Sequence, residues 1–72
     1  MKLSELRPGQ SGVIKEFLDL QLSVKFMEMG FLPGERVELE RIAPLGDPIA
    51  VRLPGYRVSL RKKDAATIIL NV

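Results

Sequence analysis

The side chains of this sequence that could enter chemistry are carboxylates, hydroxyls, guanidinium groups and amines, because histidine and cysteine are both absent. Hydroxyl nucleophiles need a neighbouring base, and Ser4, Ser11, Ser23, Ser59 and Thr67 have no imidazole to activate them. Paired carboxylates do general acid–base work only when placed in unlike environments. Glu38 and Glu40 stand two apart in a strand-like stretch, so they share its solvent face, where hydration accounts for them. Neither GxxxxGK[ST] nor GxGxxG occurs, and Gly9, Gly12 and Gly46 read as turn glycines. A transition-metal site without imidazole or thiolate needs several convergent carboxylates. Asp19, Glu28, Asp47 and Asp64 lack that spacing and read as turn, cap or surface residues. The expectation is a non-enzymatic protein with no catalytic residue, no metal ligand and no cofactor.

Chemistry therefore falls to surfaces, and charge is the first guide. Eleven basic and nine acidic residues leave a net charge of +2. The distribution is uneven. Arg52, Arg57, Arg61, Lys62 and Lys63 follow one another with no acid between them, whereas Glu35, Glu38 and Glu40 precede them. A two-signed surface follows. For Lys62 and Lys63 a solvated face that blunts an edge strand is sufficient. Arg57 and Arg61 read as projecting from one strand face, where they could meet an acidic protein surface or phosphate groups. Nucleic acid is not expected, since small barrels that bind it stack bases on aromatics; Tyr56 alternates into the expected core and tryptophan is absent.

The elements that place these groups are short. Pro44, Gly46, Asp47 and Pro48 crowd one connection and Pro54-Gly55 another, so the chain reverses twice. Between the turns Ile49, Val51 and Leu53 alternate with Ala50 and Arg52. Beyond them Tyr56, Val58 and Leu60 alternate with Arg57, Ser59 and Arg61. That period of two predicts an antiparallel hairpin with one apolar face. An earlier strand is predicted over residues 12–18, its imperfect alternation permitting a bulge or strong bend. Ser4 is a candidate cap for a short turn before it. From Leu20 to Met29 the period becomes helical. Leu22, Phe26 and Met29 form an inward stripe, Lys25 and Glu28 stand three apart, and Gly30 stops the helix. Pro33-Gly34 then turns the chain into a strand with Val37, Leu39 and Arg41 on one face. Residues 61–66 suit one helical or 3₁₀ turn, and residues 67–72 a closing strand.

At 72 residues the chain is expected to form one domain, residues 1–72, with a limited core. The longest apolar runs, such as Ile68-Ile69-Leu70, are far too short to cross a bilayer. The opening MKLSELRPGQ lacks the apolar stretch of a secretory signal, so the expected location is the cytoplasm. Five short strands with one helix after the first curl most readily into a small barrel. Pattern alone does not separate an SH3-like barrel from an OB-like one.

Three ordered blocks, LSELRPGQSGVI, MEMGFLPGERVEL and APLGDPIAVRLPGYRVSLRKKDA, resemble the FeoA family of small cytoplasmic proteins that accompany the bacterial ferrous iron transporter FeoB. The resemblance covers nearly the whole chain. It implies a mainly-β, five-stranded SH3-like barrel with one short helix inserted after the first strand. It also implies an adaptor or regulator of the FeoB-type transporter, supporting Fe(II) uptake by contact with its cytoplasmic GTP-binding region and recruited by it to the inner face of the membrane. Iron chemistry then belongs to the partner.

The candidate partner-binding residues are Leu20, Val24, Met27, Phe31, Arg57 and Arg61. The apolar four lie off or beside the inward helix stripe, and methionine and aromatics suit protein partners. The plainer alternative has Phe31 and Leu32 sealing the barrel mouth and Met27 as an isolated exposed side chain. Two rival functions stay open: a relative of the SH3-like C-terminal domain of iron-dependent repressors, and a small-barrel nucleic-acid binder working through Arg52, Arg57 and Arg61.

Overall fold

The computed structural model describes all 72 residues. Five strands, β1 (Ser11–Phe17), β2 (Arg36–Ile42), β3 (Ile49–Leu53), β4 (Tyr56–Leu60) and β5 (Ile68–Asn71), are joined by a helix α1 (Leu20–Glu28) after β1 and a four-residue helix α2 (Lys62–Ala65) after β4. All neighbours pair antiparallel in the order β4-β3-β2-β1-β5. The strand count and the helix position agree with the turn and period signals of the sequence.

Two register shifts bend this sheet around its core. β1 divides its pairing: Ser11–Val13 face β2, and Val13–Phe17 face β5 with a shift between Ile14 and Glu16. A bulge adds an unpaired residue and sharpens the local twist, and the imperfect alternation of β1 is its trace. The second shift lies between Leu39 and Arg41 where β2 meets β3. It corrects the sequence reading of Arg41, which the bulge turns out to solvent instead of continuing the Val37–Leu39 face.

Inside the bend Ile14, Val37, Leu39, Ile49, Val51, Leu53, Leu60, Ile68 and Leu70 are all buried. Leu39→Ala is therefore expected to cost about 2–5 kcal/mol. Chemical denaturation measures it, and an unchanged midpoint would place Leu39 outside the core. Leu3 and Leu6 join the core from a 3₁₀ turn over Leu3–Glu5. That turn is closed by Glu5, whose Oε1 accepts from the Lys2 amide at 2.7 Å, and not by Ser4. The Leu70 amide donates to the Met1 carbonyl at 2.6 Å, so the N-terminal segment covers the outer edge of β5.

α1 is bounded at both ends by local chemistry. The Asp19 carboxylate accepts from the Leu22 amide at 3.0 Å, satisfying one orphan donor of the first turn. At the other end Gly30 adopts φ +94°, its amide donates to Met27 O at 3.1 Å, and the Phe31 amide donates to Phe26 O at 2.9 Å. These two bonds are a Schellman cap, in which the residue after the glycine folds back onto the last helical turn. Phe31 thereby stacks on Phe26 with ring centroids 5.9 Å apart and is fully buried. Its place in a docking patch is corrected: Phe31 is a core residue.

Tyr56 is corrected in the opposite sense. It stands 43% exposed at the hairpin tip, and its hydroxyl donates to the Met29 carbonyl at 2.7 Å, beyond the strip that β4 packs inward. Lys25 and Glu28 make no ion pair; the ion pairs present are those of Glu40 with Arg52 and Arg57.

Candidate partner-docking surface

On α1 the inward positions are Ser23 and Phe26, both buried, with Leu22 and Met29 partly buried against the core. The outward positions Leu20, Val24 and Met27 are 84%, 57% and 42% exposed and stand at i, i+4 and i+7, a spacing that makes one continuous stripe. Leu18, just before the helix, adds a further exposed apolar side chain. The polarity of neighbouring positions is inverted here. A serine occupies a buried site, its hydroxyl satisfied by donating to Leu20 O at 2.6 Å, while valine beside it faces water. Burial of apolar surface alone does not ask for that arrangement.

The basic groups are held by the hairpin. Because Glu38 and Arg52 are cross-strand partners and Arg52 lies opposite Arg57, one outer face of the β2–β3–β4 sheet collects charge. Glu40 enters that row: its carboxylate accepts from Arg57 at 2.9 Å and from Arg52 at 3.4 Å. Arg57 is thus partly neutralised although exposed. Arg61 does not share its strand, as the sequence reading had it. It is the residue before α2, exposed and without an ion pair. Lys62 is fixed through its backbone, whose amide donates to Asp47 Oδ1 at 2.9 Å.

Leu20, Val24 and Met27 accordingly share one face of α1, Phe31 is in the core against Phe26, and Arg57 and Arg61 stand on β4 and just after it. The exposure of Leu18 and the buried place of Ser23 were not read from the sequence, and Glu40, read there as a hydrated surface carboxylate, is the ion-pair partner of Arg52 and Arg57. For Ser23 a signal exists in the spacing, since it falls three before Phe26 on the same helical face.

The FeoA domain family profile matches residues 1–72. An Fe(2+) transport protein A/Fe(2+) transporter FeoB fusion protein of Porphyromonas gingivalis is 42% identical over 69 residues, which are 94% of this chain and 8% of that protein. The chain thus spans a small part of that relative's length. The solution structure of iron(II) transport protein A from Clostridium thermocellum superposes with a TM-score of 0.91 at 42% identity, covering 100% of this chain and 45% of that one. FeoA of Stenotrophomonas maltophilia, described as a procaryotic SH3 domain protein and complexed with zinc, superposes at 0.86 with 30% identity over 99% of this chain and 89% of that one. The barrel described above is therefore SH3-like, which closes the choice left open with the OB-like form. In this chain no group of three carboxylates converges. A manganese-dependent transcriptional repressor matches with a TM-score of 0.84 at 20% identity, a likeness of fold alone.

Proposed function

The chain belongs to the FeoA family, and from that membership we propose that it is a non-enzymatic adaptor or regulator of a FeoB-type ferrous iron transporter, supporting Fe(II) uptake through protein–protein contact. The observation that carries this reading is the inverted polarity of α1, with Ser23 inward and Leu20, Val24 and Met27 outward. An apolar stripe at helical spacing is suited to a complementary groove of a protein partner. Fusion of a FeoA segment to FeoB in the Porphyromonas gingivalis relative supports the choice of partner. Two modules on one polypeptide meet at high effective concentration, and an arrangement of that kind serves modules that work in contact. The chain has no helix long and apolar enough to cross a membrane. In this reading it works in the cytoplasm and is brought to the inner face of the membrane by the transporter's GTP-binding region. Arg57 and Arg61 contribute as a second, charged element that orients the encounter.

Met27→Asp and Val24→Asp test the docking stripe. Each is expected to weaken binding to the cytoplasmic domain of a FeoB-type transporter by about tenfold or more, as loss of a central apolar anchor does. Because both side chains face water, thermal unfolding should shift by no more than a few degrees. Calorimetric titration reads the first quantity and circular dichroism the second. Unchanged affinity in both variants contradicts the docking role, and collapse of the fold would place these residues in the core.

A further inference from the structure

The sheet does not close on itself. β5 has its outer edge covered by the N-terminal segment, through Met1 and the Lys2–Ile69 bridge, but β4 is the last strand in the order and has β3 as its one neighbour. No backbone group of Tyr56–Leu60 bonds to anything outside that pairing. The two-residue turn Pro54-Gly55 makes Leu53 and Tyr56 the closing hydrogen-bonded pair of the hairpin. Since bonded and non-bonded pairs alternate along an antiparallel ladder, Val51–Val58 and Ile49–Leu60 are bonded, while Arg57 and Ser59 turn their N–H and C=O groups away from β3. Both residues are exposed. Four strong backbone groups are thus presented in a row to solvent.

Charge decides what fits there. Residues 41–72 carry six basic and two acidic side chains, against five and seven in residues 1–40. The open edge belongs to the positive half, with Arg57, whose guanidinium is shared with Glu40, on it and the unpaired Arg61 just beyond. A second copy of the chain is a poor occupant. Antiparallel self-pairing through Arg57 and Ser59 sets Arg57 opposite its symmetry mate, diagonal to it, or opposite the mate's Arg61, and like charges so placed are destabilising. An extended strand with alternating carboxylates has the complementary sign and makes the same ladder bonds.

We propose that the open edge of β4 is a β-augmentation site for an extended acidic peptide segment, bonded to the N–H and C=O groups of Arg57 and Ser59 and oriented by Arg57 and Arg61. The site shares Arg57 and Arg61 with the adaptor reading but does not depend on the transporter, so each stands or fails on its own experiment. Mutual attraction weakens with salt, while the backbone ladder supplies register.

The test is an amide NMR titration of the full chain with the synthetic peptide acetyl-(Glu-Val)3-amide at up to millimolar concentration, with acetyl-(Lys-Val)3-amide as the opposite-charge probe. The Arg57 and Ser59 amides should shift and exchange their protons more slowly with the acidic peptide, while those of Val58 and Leu60, already bonded to β3, keep their protection. Ser59→Pro removes an outward N–H, which an edge strand tolerates, and should weaken the acidic peptide by about tenfold at an unchanged melting temperature. Arg57→Glu should lose the acidic peptide and gain the basic one, and it carries the test if the proline variant fails to fold. The proposal is overturned if Arg57 and Ser59 do not respond to millimolar acidic peptide, if the shifts fall on Leu20, Val24 and Met27 instead, or if the same two amides become protected without peptide as a dimer forms in sedimentation.

Discussion

Phe31→Ala is expected to lower the unfolding free energy by about 3–5 kcal/mol, the range seen when a buried aromatic is truncated. For a 72-residue protein the total is about 4–11 kcal/mol, so the variant should lose from about a quarter to all of its stability. The size of the effect follows from position. Phe31 is fully buried, stacks on Phe26, and through Phe26 reaches Phe17, whose ring centroid lies 5.8 Å from that of Phe26. Truncation leaves a cavity between α1 and the barrel that short, bonded strands cannot collapse to fill. Denaturant melts of the purified variant measure the loss. A Phe31→Ala protein as stable as its parent, yet weakened in partner binding, would restore Phe31 to the docking surface.

The second large effect is expected at Gly30. Its φ of +94° lies where side-chain-bearing residues are strained by about 1–2 kcal/mol, and a Cβ built there collides with the Tyr56 hydroxyl. Gly30→Ala must therefore bear the strain and also displace Tyr56 from Met29 O, a neutral hydrogen bond whose net value is about 0.5–1.5 kcal/mol. Together these amount to about 1.5–3.5 kcal/mol. The two parts separate in a double-mutant cycle. With Tyr56→Ala already present the collision is gone, so Gly30→Ala should then cost the backbone strain alone, a coupling of about 1 kcal/mol. Full additivity would mean that Tyr56 does not sit over Gly30.

Much of the architecture was legible because its signals are local. The Pro-Gly and Gly-Asp-Pro turns, the alternation of Ile49, Val51 and Leu53, and the stop at Gly30 each act within a few residues, and each corresponds to an observed element. What the sequence misplaced depends on neighbours distant along the chain. Phe31 follows a helix-terminating glycine and reads as a loop residue until the cap folds it back on Phe26. Tyr56 keeps the strand's inward parity but stands past the end of the core, where its hydroxyl meets a helix carbonyl 27 residues away. Arg41 has inward parity in sequence, and a bulge removes it. Leu3 and Leu6 show no periodicity because their segment is a single turn, and only the packed barrel reveals them as core.

The surface was legible in composition and not in arrangement. Leu20, Val24 and Met27 could be picked as off-stripe residues from helical spacing, since the stripe is internal to one helix. That Glu40 would sit between Arg52 and Arg57 required the registers of two hairpins. The open edge of β4 required the order of all five strands, a property that no local pattern records.

The central claim is that this protein acts by touching a FeoB-type transporter through the outward face of α1, and amide NMR tests it most directly. Labelled protein is titrated with the cytoplasmic domain of the FeoB-type transporter from the same genome, first with GDP and then with a GTP analogue. The account predicts localised shifts at Leu20, Val24 and Met27, a smaller set at Arg57 and Arg61, and none transmitted to the buried Val37 and Val51. Absence of shifts at high concentration in both nucleotide states, or shifts confined to surfaces away from α1, would contradict it.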